Sequence, residues 1–371
     1  MGHSVRKGLA IGGVVCLLTL ALLLVLAQAS PAAGTVPSSG RASARGSFVY
    51  LFDPTAETFV FTFTVPTERA GPRDVLVVQR PGYKEVWFTE SGADRIGRLT
   101  YTDTTRYVFR DYELEAESSP SGLTSGGGFI WFTESGTDRI GRLDPETGTL
   151  DEFECPVGAY PADLDHASDG SVWFTERMTD RIARLVVTAT DDYAVEEHFT
   201  ASLSGGRPQG IAVAGRSVYF AQTENDRVTR FSPPDTWLQL YDLPGASDAP
   251  DGPYELALES ADVVWTTEGV GNRITRIEVG TYPLVTPHTL MPAHSVPMGL
   301  ARDARNAQLW FTQWAAGQIG RLAPGSGIEY YPLPLRGLAP RAVAVDDGGD
   351  VWVVASWPSR IHLPLIIRSG G

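Results

Sequence analysis

The chain has 371 residues, of which 43% are hydrophobic and 10% aromatic, and a formal net charge of −14. That is an ordinary globular composition, and the acidic balance excludes a nucleic-acid binder, which would carry a basic footprint. Length alone allows two or three domains, but a repeat architecture would override that prior.

The N-terminus reads as a targeting segment. Arg6 and Lys7 are followed by an uncharged run over 8–27 containing LLTLALLLVLA, and then by Ala27-Gln28-Ala29, an A-x-A cleavage pattern. Residues 1–29 are therefore a cleaved signal or, because the apolar run is long enough to span a bilayer, a retained anchor that attaches the chain to a membrane. Either way the remainder is expected outside the cytoplasm. Residues 30–47, rich in Pro, Ala, Gly and Ser, read as a flexible linker. Cleavage would leave Cys155 as the single cysteine. No internal disulfide could then form, and Cys155 in DEFECPV reads as a small buried apolar residue.

From residue 48 one phrase recurs. VWFTESGADRIGRLT (86–100) returns as IWFTESGTDRIGRLD (130–144) and VWFTERMTDRIARLV (172–186), then more loosely at 218–232, 264–278, 309–323 and 351–365. The aromatic anchors are Trp87, Trp131, Trp173, Tyr219, Trp265, Trp310 and Trp352. A period of about 40–45 residues, repeated seven times with four strand-like pieces each, predicts an all-β, seven-bladed β-propeller of four-stranded antiparallel blades over 48–360. In the second unit the pieces are GLTSGGG, introduced by Pro120, then FIWFTES, DRIGRLDP and TLDEFECP. One such sheet cannot bury both faces alone, so the anchor and the residue after it should fill the space between adjacent blades.

Ring closure is expected from FVYLFDPTAETFVFTFTVP (48–66), whose Asp53-Pro54 aligns with Asp144-Pro145, the late part of a repeat. This hairpin would complete the blade begun by the last repeat. Arg360-Ile361 competes for the same third-strand position, which leaves 361–371 as an edge strand or tail.

Three residues after the anchors stand Glu90, Glu134, Glu176, Gln222, Glu268 and Gln313; eight after stand Arg95, Arg139, Arg181, Arg227, Arg273 and Gln318. A feature present in most blades is architecture first, so Glu and Arg are expected to pair across the hairpin, with Asp94, Asp138, Asp180, Asp226 and Asn272 supplying the turn. The functional alternative is a ring of Glu90, Glu134, Glu176 and Glu268 carboxylates converging at one end of the channel and holding a hard cation.

The repeated WFTE…(D/N)RIGR phrase, with a Pro before each copy, resembles the virginiamycin B lyase (streptogramin lyase) family over about 48–360. The resemblance implies a seven-bladed propeller that opens a cyclic depsipeptide antibiotic by elimination at its ester, with Mg²⁺. It also implies a functional histidine after the Pro in each of the last two blades, and two metal-binding glutamates. In this chain those positions hold Met298 and Arg341 in place of the histidines, and Ala339 and Ser356 in place of the glutamates. Elimination needs a proton acceptor and a positive charge at the developing anion, and arginine stays protonated.

These substitutions lead to the expectation of a non-catalytic ligand-binding or scaffold module. Its channel mouth would be built from Arg73, Gln209, Tyr254, Met298 and Arg341, with Trp314 and Trp357 as exposed aromatic surface. Two arginines and a tyrosine suit an anionic or sugar-like ligand; the partner would be a small molecule, a glycan or a protein, and the chain a monomer. No cofactor is expected on this reading. The alternative is an enzyme, either a carbon–oxygen lyase of the same family type, with Mg²⁺, or a lactone hydrolase, its catalytic residues displaced. His294, three residues before Pro297, is the histidine able to approach the mouth; His166, His198 and His288 fall in turns, an outer strand or a loop.

Overall fold

A computed structural model describes residues 46–189, 192–198, 204–233, 237–244 and 252–358. The targeting segment, the linker up to residue 45, Arg360-Ile361 and the 361–371 tail lie outside the described residues. Seven four-stranded antiparallel sheets follow one another around a ring. Their innermost strands are β3 (Val75–Arg80), β7 (Pro120–Gly126), β11 (Pro161–His166), β15 (Pro208–Ala214), β19 (Pro253–Ser260), β23 (Pro297–Asp303) and β27 (Ala339–Val345). The second blade continues through β8 (Phe129–Glu134), β9 (Arg139–Leu143) and β10 (Leu150–Glu154), matching the four pieces read from the sequence.

The ring closes as expected. β1 (Ser47–Asp53) pairs antiparallel with β28 (Val351–Ser356), Leu51 opposite Trp352, and β2 (Thr58–Thr64) forms the outer edge. The last blade therefore takes two strands from each end of the propeller, and opening it costs a full strand pairing.

Because alternate side chains of a strand face opposite ways, the two aromatics of each WF phrase serve different interfaces. Trp87 packs forward with Leu123, Ile130 and Phe132 of the next blade, whereas Phe88 packs backward with Trp352 and Val354. The pattern repeats around the circle: each of the seven apolar clusters holds one anchor, from Trp131 with Phe174 to Trp310 with Val353. Cys155 lies in the cluster between blades two and three, where burial pushes its thiol well above the ordinary range. The RIGR glycine has a matching cause. Gly141 stands opposite Phe132, and a Cβ there would fall 2.1 Å from the ring. The second arginine of RIGR covers the anchor from the other side, as Arg98 does over Trp87 at 5.1 Å and Arg142 over Trp131 at 5.5 Å.

The Glu–Arg hairpin pair forms in blade five, where Arg273 Nε donates to Glu268 at 3.1 Å. Its amide version forms in blade six between Gln318 and Gln313. In the first three blades the expectation fails, although the two residues are opposite in register. Arg95 turns to Glu113 at 2.8 Å, Arg139 to Glu152 at 3.2 Å and to Glu115, and Arg181 to Glu197. These carboxylates stand on the outer strand or the loop beyond it, nearer to water, where pairing costs less desolvation. Glu90, Glu134 and Glu176 are left fully buried, and burial pushes each up to about 7.

The turn aspartates do more than shape the hairpin. Asp94, Asp138, Asp180, Asp226 and Asn272 all have left-handed backbones, with φ between 49° and 57°. Their side-chain oxygens accept N–H groups of the loop leading into the next blade. Asp138 takes Gly158 and Tyr160 at 2.7 Å each, and Asp180 takes Arg207 at 2.9 Å. This polar clasp fixes where each inner strand begins.

Candidate functional site at the channel mouth

Six of the seven inner strands open on a bulge: the register with the second strand shifts between Pro120 and Leu123, Pro161 and Leu164, Pro208 and Ile211, Pro253 and Leu256, Pro297 and Leu300, and Pro340 and Ala342. A bulge takes its residues out of the ladder and re-aims them. The threonine of WFT secures it. Thr267 Oγ1 accepts the Glu255 N–H at 3.1 Å and donates to the Met298 carbonyl of the next blade at 2.7 Å. Thr312 likewise accepts Gly299 N–H and donates to the Arg341 carbonyl at 3.1 Å. The threonine thus ties down the residue after the proline in five of the seven blades: Ser121, Ala162, Gln209, Met298 and Arg341.

Those residues converge over the axis. Arg341 Nη2 of the seventh blade donates to the Tyr254 hydroxyl of the fifth at 3.1 Å, across the intervening sixth blade. Arg73 of the first blade is held below the ordinary arginine range by burial and by Arg341, and Arg177 adds to this. Tyr254 and Tyr160 also lie close enough to influence it. The mouth therefore gathers Arg73, Tyr254 and Arg341 as expected, and adds Tyr160 and Arg177. Gln209 is buried beside them, its carbonyl accepting from Thr175, and Met298 is half-buried.

Below this layer lies a cavity of about 270 Å³ lined by Asp74, Asp163, Asp165 and Glu255 among apolar residues. One position further along each strand the ring reads Asp74, Gly122, Asp163, Gly210, Glu255, Gly299 and Ala342. Carboxylates alternate with small residues because the channel has no room for a side chain from every blade: a Cβ on Gly122 would fall 2.5 Å from Asp163 Oδ1. Asp74 accepts the N–H groups of Val75 and Leu123 at 2.7 Å each, and Asp163 that of Ile211 at 3.0 Å. Glu255 accepts one N–H, from Leu256 at 3.2 Å. Burial raises Asp74 to about 6. Burial, and then Asp74, raise Asp163 well above the carboxylate range. Burial, Asp163 and Asp74 do the same to Glu255. The sequence reading missed this layer, although aligning the repeats on their prolines exposes it.

The other candidates lie elsewhere. Glu90, Glu134, Glu176 and Glu268 are buried within their own blades and do not line the cavity. No group of three or more His, Cys, Asp or Glu that could hold a metal ion occurs among the described residues. His294 is exposed on the loop before β23 with a left-handed φ of 61°. His198 stacks on Trp173, His288 lies tilted against Trp265, and His166 packs against Gly126. Trp357 is not free surface: it packs under Gly337 and Leu338. Trp314 is half-buried. The two positions that the family resemblance marks for metal, Ala339 and Ser356, do face each other across β27 and β28, but neither carries a carboxylate. The residues present therefore do not fit Mg²⁺ at that place.

The virginiamycin B lyase family model matches residues 53–281 and 194–362, which is most of the propeller. A virginiamycin B lyase of Nocardia farcinica (strain IFM 10152) is 35% identical over 104 residues, spanning 28% of this chain and 36% of that relative. The match thus covers about a third of the relative's length. Among solved structures, virginiamycin B lyase from Staphylococcus aureus is similar with a TM-score of 0.66 at 25% identity, over 77% of this chain and 94% of that one. A streptogramin B lyase structure has a TM-score of 0.68 at 23% identity, over 85% and 100%. These findings overturn the expectation of a non-catalytic binding or scaffold module. That expectation rested on the empty histidine and glutamate positions and overlooked the buried carboxylates that line the cavity beneath the mouth. The chain belongs to the virginiamycin B lyase family.

Proposed function

We propose that the protein is a carbon–oxygen lyase that opens a cyclic depsipeptide by elimination at its ester. The observation that carries this reading is the family match over both halves of the propeller, joined to a channel mouth that holds the two kinds of group elimination requires. A base removes the proton α to a carbonyl; that electron pair forms the C=C bond; the C–O bond breaks and its pair leaves on the ester carboxylate. No water is added, so the linear product keeps the mass of the ring.

Glu255 is the proton acceptor in this proposal. One of its oxygens is committed to a backbone N–H and the other is without a hydrogen bond among the described residues, unlike Asp74 with both oxygens engaged. Its raised pKa makes the ionised form a strong base. Arg341, oriented by Tyr254, and Arg73 supply the positive charge beside the developing oxyanion.

The test incubates the purified full chain with a streptogramin B depsipeptide beside an authentic lyase, and reads products by mass spectrometry. A linear product of unchanged mass, formed equally well in a chelator, supports the proposal. No product beside a working control refutes it. We also place the reaction outside the cytoplasm, on the strength of the N-terminal apolar run. Fractionation of expressing cells tests this, and protein confined to the cytoplasm would reject it.

A further inference from the structure

Four positions after each anchor, at the start of the second hairpin, the repeats carry Ser91, Ser135, Arg177, Thr223, Gly269, Trp314 and Ser356. The small hydroxyl residues have an architectural task. Ser135 and Thr223 donate to the carbonyls of the next blade's prolines, Pro161 and Pro253, at 2.6 and 2.8 Å, and Ser91 does the same to Pro120. Arg177 gives up that bond and sends a guanidinium toward the axis instead. It lies within electrostatic reach of Arg73, and its backbone N–H donates to the carbonyl of Tyr160, just before Pro161.

Three guanidiniums thus gather at one opening, drawn from blades one, three and seven. None of Arg73, Arg177 and Arg341 forms a salt bridge with a carboxylate among the described residues, although the chain carries fourteen more acidic than basic side chains. The Nε–H groups of both Arg177 and Arg341 are buried without a hydrogen-bond partner. A buried charged donor left unmatched is costly, and these arginines leave two. One layer below, Asp74 and Asp163 accept the backbone N–H groups of Leu123 and Ile211 rather than donors of these arginines.

We infer that the mouth is a binding site for a compact oxyanion, a carboxylate, sulfate or phosphate group on the ligand, held by Arg177 and Arg341 with Arg73 completing the positive wall. A planar guanidinium fork matches such groups bidentately, and the two unpaired Nε–H donors are the ones an oxyanion would satisfy. Tyr254 fixes the Arg341 fork by its 3.1 Å contact. This site stands whether or not the protein eliminates esters. If it does, the carboxylate set free would remain here and inhibit.

The experiment is calorimetric titration of the full chain with sodium sulfate, with chloride adjusted to constant ionic strength. One-to-one saturable binding is expected in wild type. Arg177→Gln and Arg341→Gln should each weaken it at least tenfold, and Arg216→Gln, an exposed side chain elsewhere, should not. Arg177→Lys and Arg341→Lys preserve the charge and guard against misfolding; they should weaken sulfate less than the glutamine variants but measurably. Absence of saturable binding in wild type, or equal affinity in all the variants, overturns the inference. Acetate and phosphate titrations then rank the oxyanions. Because no turnover is read, failure of this test leaves the lyase assay untouched, and the reverse holds too.

Discussion

Replacing Glu90, Glu134 and Glu176 by glutamine should flatten the pH dependence of stability. All three are fully buried, with pKa values near 7 against an ordinary 4.5. Between those values the folded chain keeps a proton that the unfolded chain has released, so stability falls as pH rises from about 4.5 to about 7 and is level above. The gap corresponds to about 3 kcal/mol for each group at pH 8, taking about 1.4 kcal/mol per pH unit. Glutamine carries no such ionisation, and blades four and six already hold Gln222 and Gln313 at this position. The amide brings its own unmatched hydrogen-bonding groups, costing about 1–2 kcal/mol. The single variants should therefore be slightly less stable than wild type at pH 5 and more stable by about 1–2 kcal/mol at pH 8. The assay is urea unfolding at intervals from pH 5 to 8, read as the difference between wild type and variant, because Asp74, Asp163 and Glu255 contribute a slope common to both. Parallel curves would refute the reasoning. Glu268→Gln is the opposing control: its carboxylate is paired with Arg273, so the substitution should destabilise at pH 8, by about 2 kcal/mol.

Asp138→Gly keeps the left-handed backbone but deletes two 2.7 Å bonds to Gly158 and Tyr160; it should cost about 2 kcal/mol and speed amide exchange over 156–160. Tyr50 buries a hydroxyl with no partner, so Tyr50→Phe should be neutral or stabilise by up to about 1 kcal/mol in thermal unfolding. With a depsipeptide substrate, Glu255→Gln should lower kcat at least about a hundredfold. Wild-type kcat should rise with pH, since the acceptor must lose its proton and its pKa is raised. A rate that falls as pH increases from 6 to 9 would remove Glu255 from that role.

The fold was readable because every blade repeats the same solution. The WF pair, the Pro before each inner strand and the closing hairpin at 48–66 each specify a contact that the structure contains. The Glu–Arg pairing was misread in three blades because pattern alone placed the two residues opposite each other and ignored the competition from Asp111, Glu113, Glu152 and Glu197 on the outer strands. Arg73, Arg341 and Tyr254 were legible from the residue after each proline, whereas Arg177 and Tyr160 lie at other steps of the repeat. The carboxylate layer one residue further was not legible, since ordinary strand alternation puts that residue on the opposite side, and for Asp163 and Glu255 it is the bulge that breaks the alternation.

A repeat protein separates structure from function by comparison with itself. The anchors, the clasp aspartates and the WFT threonines recur because each blade must meet its neighbours in the same way. Arg177 breaks the series where its equivalents Ser135 and Thr223 bond the next blade, so it forgoes a structural contact that the fold makes elsewhere. Arg341 and Tyr254 likewise differ from Ala162 and Ser121 at the same step of the repeat, yet are joined across the axis. Residues that depart from the repeat, converge on one opening and leave buried donors unmatched are arranged for something other than stability. By the same logic the family's histidine positions are one way to equip these bulges, and a chain that places arginines and tyrosine there, above carboxylates raised by burial, has equipped them differently on an unchanged frame.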